Sequence, residues 1–202
     1  MIKRYGPGEE AKIGEYKKGD FILTHSDSFY GWLIRFGQRL RYWGKDRKYT
    51  RWNHAAIIIS DDGDLMEALS NGVVKTKISH YKDTEYHLIS LGAEISDNRD
   101  RTQEVSFADA SWHESYGWLT IVSIAFGLIT GCKITFGVEG QTICSGLVAR
   151  CLERTSVIIY SNSANVTPAA LAKYFNVLPP STNVSKGIPP KGRRGSKPPG
   201  KK

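Results

Sequence analysis

Short apolar runs separated by turn residues predict several β-strands in the first half of the chain. The run Phe21 to Thr24 follows a Gly-Asp turn and predicts a first strand, and Asn53 to Ser60 predicts a buried strand. Further strands are predicted at Leu65 to Ala68, Gly72 to Val74 and Tyr86 to Leu91. We expect these strands to belong to one antiparallel sheet.

Apolar positions at helical spacing predict four helices. The first spans about Ser28 to Arg39, and a long apolar helix spans Trp112 to Ile129. The third begins near Cys144, and the last opens at Thr167 with a proline in its first turn. Asp97 to Glu104 is interpreted as a charged connection.

Charge is concentrated at the C-terminal end. The formal net charge of the 202-residue chain is +8, and seven cations without a single acid follow Leu178. They are Lys186, Lys191, Arg193, Arg194, Lys197, Lys201 and Lys202. Removing these seven charges from +8 leaves +1, so the body of the chain is nearly neutral.

This distribution predicts one domain with two appendages. Residues 1–16 are interpreted as an N-terminal extension, 17–178 as the domain and 179–202 as a flexible tail, because six of the eight prolines accompany the tail's cations. Such a tail is expected to attract nucleic acid or another anionic surface without specificity and in a salt-dependent way.

Cys144 is the first candidate for chemistry, because it falls in the first turn of the third predicted helix. Thr142 is the predicted N-cap. Free backbone N–H groups and the positive end of the helix dipole favour a thiolate at this position, which predicts a lowered pKa and a partly exposed nucleophile. The alternative is that Cys144 is a small buried hydrophobic residue.

His54 and Glu67 are the candidate partners of this cysteine. If the hairpin loop comprises Ser60 to Gly63, Glu67 lies opposite Ala56 and diagonal to His54, within reach of a long side chain. A tighter Asp62-Gly63 turn would place Glu67 further along the strand. Both registers put the two side chains on one face, but only the wider loop makes them neighbours.

Leu40 to Arg51 is rich in basic and aromatic residues and predicts an exposed loop. It is either a solvated basic loop or the lip of a binding groove. In the second case the candidate substrate contacts are Trp43, Tyr49 and Trp52. Asn53 and Ser145, which stand next to His54 and Cys144 in the sequence, are further candidate substrate contacts.

Five short motifs together carry a family resemblance. They are Gly19-Asp20-Phe21-Ile22, Asn53 to Ile58, Glu67-Ala68 before Gly72-Val73, Ile143 to Val148, and Thr167 to Leu171. In this order they resemble the circularly permuted branch of papain-like NlpC-type hydrolases, typified by the YiiX and YaeF proteins, in which the histidine strand precedes the cysteine helix. The resemblance spans about Lys17 to Phe175.

The resemblance implies a papain-like α+β fold, with an antiparallel sheet packed against helices that include the cysteine helix. It implies Cys144 as nucleophile, His54 as base and Glu67 as the residue that orients the histidine. The backbone N–H of Cys144 is the expected oxyanion donor. Gly146 departs from the family, which more often has a glutamate there.

The expected activity is thiol-dependent hydrolysis of an amide bond through an acyl-enzyme, without a cofactor or metal, and the family makes peptidoglycan stem peptides the expected substrate. Two alternatives stay open. The protein is a lipid acyltransferase or thioesterase of the same fold, or it is a non-catalytic component of a virus particle whose basic tail docks on an anionic partner.

The remaining sequence features limit the setting. Cys132, Cys144 and Cys151 form an odd set without a CxxC pair, which argues against a disulfide framework or zinc site. No apolar segment follows Met1, so we expect no secretory signal and a cytoplasmic site of synthesis, with release in a phage particle or on lysis as one route to a cell wall. Trp118 to Gly131, at about 14 residues, is too short for a transmembrane helix.

Overall fold

A six-stranded antiparallel sheet forms the centre of the computed structural model, with strand order β1-β6-β2-β3-β4-β5. The structure describes residues 1–26, 29–69, 71–92, 97–112, 115–116, 141–142, 144–157 and 166–180. The strands are β1 Ile2–Tyr5, β2 Phe21–Thr24, β3 His54–Ile58, β4 Asp64–Leu69, β5 Gly72–Lys77 and β6 Tyr86–Ile89. Together with the helices they make an α+β fold.

In the described part of the chain, helices lie between the strands in sequence and also follow the last strand of the six-stranded sheet. The α-helices are α1 Phe29–Arg41, α2 Asn98–Ala110, α3 Cys144–Glu153 and α4 Pro168–Tyr174, and 3-10 helices span Gly44–Arg51 and Ile78–Tyr81. The start of α4 is as predicted, because Thr167 caps it by accepting from the Ala170 N–H at 3.2 Å.

Two apolar clusters lie on the two faces of the sheet, since successive side chains of a strand point to opposite faces. The larger cluster includes Phe21 and Ile57 and takes in Leu147 of α3 and Leu171 of α4. The smaller one is built around Ile22, Ile58, Leu65, Tyr81 and Tyr86. Helix α3 packs against β3, so the start of the cysteine helix lies beside the histidine strand.

The N-terminal residues are part of the sheet. This corrects the expectation that Phe21 to Thr24 is the first strand and the expectation that residues 1–16 are an extension of the domain. Strand β1 precedes Phe21–Thr24 and pairs with β6, with Ile2 opposite Ile89. Tyr16 is buried in the smaller cluster, and the Ala11 N–H donates to the hydroxyl of Tyr86 at 2.8 Å. The sheet therefore begins within the segment that the sequence suggested was an extension.

Helix α2 replaces the charged connection expected at Asp97 to Glu104. Asp97 caps the helix by accepting from the Arg99 N–H at 2.9 Å. The buried face of α2 carries Arg101, Glu104 and Ala108. Two of these three residues are charged, so hydrophobic periodicity did not reveal the helix.

Other expectations for the second half are corrected or lie outside the described residues. The helix predicted from Trp112 does not begin there, because β7 Ser115–Tyr116 pairs in parallel with β8 Gln141–Thr142. Residues 117–140, which include most of the predicted helix and Cys132, lie outside the described residues. Thr142 belongs to β8 and is not the N-cap of α3. At the C-terminal end, packing continues to Pro180, which is still buried.

Among the described residues, no helix combines the length and the apolar character that crossing a bilayer requires.

Candidate active site

Strands β3 and β4 bring His54 and Glu67 together. Ile57 lies opposite Met66, and the same register places Glu67 opposite Ala56. This is the register of the wider of the two predicted loops. His54 Nε2 lies 2.5 Å from Glu67 Oε2, so of the two registers that the sequence left open, the one that makes these side chains neighbours is the one that forms.

Glu67 is fully buried, yet hydrogen bonds reach both of its oxygens. Thr76 donates to Oε1, and Tyr81 donates to Oε2, the oxygen that also faces His54. Burial by itself raises the pKa of Glu67, but the hydrogen bond and positive charge of His54, with the two hydroxyl donors, lower it overall. Glu67 is therefore a carboxylate at neutral pH.

His54 links Glu67 to Cys144. Its Nε2 faces Glu67, which leaves Nδ1 for the hydrogen bond with Cys144. Burial by itself lowers the pKa of His54, but the Cys144 thiolate and the hydrogen bonds to Cys144 and Glu67 raise it to about 10. The imidazolium is also stacked on the ring of Tyr81, with centroids 6.3 Å apart.

Cys144 is the first residue of α3, and its surroundings favour the thiolate by lowering its pKa. Burial by itself raises the pKa of its thiol, but the charge and hydrogen bond of His54 outweigh that effect. Backbone N–H groups of Ala55 and Ser145 also donate to the sulfur and lower the pKa. Because Cys144 opens the helix, its own N–H has no acceptor within α3.

The exposure of Cys144 differs from the expectation. The residue is only 1% exposed, whereas the sequence predicted a partly exposed thiol. The side chain of His54 is 13% exposed, so it offers more surface to solvent than the cysteine does. The alternative of an inert buried cysteine does not fit either, because an ionic partner and two N–H donors surround the sulfur.

Two of the predicted substrate contacts have structural partners instead. Ser145 is fully buried and its hydroxyl donates to the carbonyl of Val166 at 2.6 Å. Asn53 is buried and forms two hydrogen bonds with the backbone of Ser26, at 2.8 and 2.7 Å. These contacts fix α3 and the start of β3, so both residues position the site without facing a substrate.

The three aromatic residues of the predicted lip separate into two groups. Trp43 is 74% exposed, as a lip residue should be. Tyr49 is buried and donates to Asn176 Oδ1 at 2.8 Å, and Trp52 is fully buried with its ring 4.7 Å from that of His87. The prediction that Tyr49 and Trp52 contact substrate is wrong, because both belong to the core.

Thr76 and Tyr81 are the site residues that sequence reasoning missed. Thr76 lies on β5 opposite Leu65, diagonal to Glu67 on the same face. Extending the predicted strand beyond Val74 would have revealed it. Tyr81 comes from a 3-10 helix after β5, and no periodic signal places such a turn over a particular carboxylate.

Within the described ranges, no group of three or more His, Cys, Asp or Glu side chains is arranged to hold a metal ion.

No protein-family model matches the chain, and no curated protein matches it.

Proposed function

We propose that the protein is a thiol-dependent hydrolase that cleaves an amide bond through an acyl-enzyme. The proposal is carried by one observation, the hydrogen-bonded series Cys144, His54 and Glu67 at the start of α3 and β3. Each group has the charge state its role needs, because the pKa of Cys144 and Glu67 is lowered and that of His54 is raised.

The first half of the reaction forms a thioester. The Sγ thiolate of Cys144 attacks the carbonyl carbon, a C–S bond forms, and the carbonyl electrons move to the oxygen. The Cys144 N–H donates to this oxyanion. His54 Nδ1 then gives its proton to the leaving nitrogen, the C–N bond breaks, and the amine departs.

The second half restores the enzyme. His54, now neutral, takes a proton from water while the water oxygen attacks the thioester carbon. The C–S bond breaks, the acid product leaves, and the thiolate and imidazolium are regenerated. Glu67 keeps the ring in the orientation that presents Nδ1 to the sulfur and stabilises its positive charge.

The substrate we propose is a peptide amide of a peptidoglycan stem. It is supported by the order of the motifs, because a histidine strand before a cysteine helix is the arrangement of the permuted papain-like hydrolases that the sequence resembles. The antiparallel sheet packed against α3 is compatible with that fold.

The decisive experiment combines chemical labelling with substitution of Cys144. At pH 6, iodoacetamide should label Cys144 at least about tenfold faster than Cys151, which is a buried cysteine of the same helix. Mass spectrometry of the labelled peptides distinguishes the cysteines. Cys144→Ala should reduce the release of amines from purified peptidoglycan to background, and the matched variant Cys151→Ala should retain it.

The alternatives give different outcomes. If Cys144 is labelled fast and the protein turns over phospholipid or ester substrates but not peptidoglycan, the activity is lipid acyl transfer. Slow and equal labelling of all cysteines, with no turnover of any substrate, would leave a non-catalytic component and end the proposal.

A further inference from the structure

Helix α1 and the residues after it present three large aromatic side chains to solvent. Trp32 is 53% exposed, Phe36 is 41% exposed and Trp43 is 74% exposed. Trp32 and Phe36 are one helical turn apart, and their rings stack with centroids 5.6 Å apart at 13°. Trp43 lies two residues beyond the end of α1 at Arg41, and we call these three exposed aromatic side chains the aromatic face.

The other side of α1 is fixed to the body of the protein. Gln38 donates to the carbonyl of Trp52 at 2.8 Å and accepts from the N–H of Ala169 at 2.7 Å. Gly31 lies so close to Asn53 that a Cβ there would be 2.7 Å from its Nδ2. Because these contacts fix the helix, the aromatic face cannot turn inward.

The segment that carries the aromatic face is rich in positive charge. From Arg35 to Arg51 the sequence has seven cations and one acid, Asp46. Asp46 is itself paired with Lys173 at 2.5 Å. Five of the cations are exposed, namely Arg39, Arg41, Lys45, Arg47 and Lys48. The body of the chain is nearly neutral as a whole, so this local excess of charge selects an anionic partner.

We propose that the aromatic face docks on an anionic lipid bilayer. Aromatic side chains on one side of a helix, with Lys and Arg around them, are the combination that binds in the interfacial region of membranes. Trp32 and Phe36 cover one another's ring faces, and Trp43 Nε1 already donates to the Leu40 carbonyl at 3.1 Å, which leaves little for reading nucleic acid bases.

The residues that lead into α1 are joined to the strand that carries His54. The loop before α1 is joined to β3 through the two hydrogen bonds between Ser26 and Asn53, and His54 follows Asn53 directly. Membrane binding does not depend on the thiol chemistry, so the two proposals stand or fall separately.

The test is sedimentation of the full chain with vesicles of 30% phosphatidylglycerol and 70% phosphatidylcholine. The double variant Trp32→Ser/Phe36→Ser should weaken the partition constant at least about tenfold, because it removes the apolar insertion. The matched control Ile13→Ser removes an apolar side chain that is 75% exposed elsewhere and should leave binding unchanged. All variants keep the basic tail, so its contribution is equal throughout.

A second pair of variants tests the charge. Arg39→Gln/Arg41→Gln should weaken binding about fivefold for each charge at low salt, whereas Lys12→Gln/Lys82→Gln should have a smaller effect. At 0.5 M salt the loss caused by the arginine variants should nearly disappear, since exposed charges are screened. The loss caused by the aromatic variants should persist.

Three outcomes would overturn the proposal. The first is equal vesicle binding by the aromatic variant and the Ile13 control. The second is loss of binding to a single-stranded oligonucleotide in the aromatic variant while vesicle binding is kept, which would make the surface a nucleic acid site. The third is a change of oligomeric state in that variant without a change in vesicle binding, which would make it an interface between copies of the chain.

Discussion

Glu67 and Glu104 are both fully buried, but their pKa values are shifted in opposite directions. Glu67 is hydrogen-bonded on both oxygens and faces a cation, and its pKa is lowered. Glu104 accepts from Thr155 at 2.8 Å on Oε1, and its Oε2 has no hydrogen-bond partner. Burial raises the pKa of Glu104 to about 8, against the weaker opposing effects of Thr155 and Arg101.

The difference shows that the donors around a carboxyl, and not burial alone, decide whether it is charged. Arg101, a cation on the same helix face as Glu104, donates a hydrogen bond to Asp20 Oδ1 at 3.0 Å. Gly19, with φ of +90°, brings the chain so close that a Cβ there would lie 2.5 Å from Glu104 Oε2. Glu104 thus has a single hydroxyl donor, on Oε1, whereas Glu67 has two hydroxyl donors and the hydrogen bond of His54.

The largest expected effect separates the two carboxyls by activity. Glu67→Gln should reduce kcat/KM by roughly two to three orders of magnitude, because the amide can still accept from His54 but no longer stabilises the imidazolium. Glu104→Gln is the matched control and should leave kcat/KM unchanged. Amine release measured from pH 5 to 9 checks both variants, and an unchanged pH–rate profile in Glu67→Gln would show that Glu67 does not orient His54.

The next effect concerns stability. The pKa of Glu104 is about 8 in the folded protein and has a reference value of 4.5, so the folded state binds the extra proton. Its contribution is fully present below pH 4.5 and is lost as the pH rises through 8. We expect the free energy of unfolding to fall, relative to Glu104→Gln, by roughly 3 kcal/mol between pH 5 and 7.5.

Urea unfolding of the wild type and Glu104→Gln at several pH values measures this difference directly. The variant keeps the acceptor for Thr155, so the comparison isolates the proton. Two parallel curves across this pH range would mean that Glu104 is ionised in the folded protein and that it does not differ from Glu67 in charge state.

The sequence predicted the parts of the site that depend on strand alternation. Parity placed His54 and Glu67 on one face, and the choice between two loops was the only open question. The wider loop forms because Ser60 Oγ donates to Asp64 Oδ2 at 2.9 Å and accepts from the Asp64 N–H at 3.1 Å. A local pattern was enough here, because the interacting residues are close in sequence.

The parts that failed depend on distant contacts or on charged residues in the core. Tyr49 and Trp52 look like surface residues in a basic segment, but partners far along the chain, such as Asn176 for Tyr49, hold them inside. Helix α2 was missed because Arg101 and Glu104 occupy its buried face. No apolar pattern marks a face of that kind, since the partners of its charged groups, Asp20 for Arg101 and Thr155 for Glu104, are distant in sequence.

The smallest expected effect tests the donors that make Glu67 different. Tyr81→Phe removes one hydroxyl donor and keeps the ring beside His54, so the pKa of Glu67 should rise. The stability that ionised Glu67 contributes is present above its unfolded pKa and is lost as the pH falls through its lowered folded pKa. The acid limb of kcat/KM and the acid unfolding midpoint should therefore both move to higher pH. Thr76→Val should shift them in the same direction, whereas Tyr16→Phe, a buried tyrosine of the same apolar cluster, should not. Acid limbs that coincide in all four proteins would mean that the hydroxyl donors do not set the charge of Glu67.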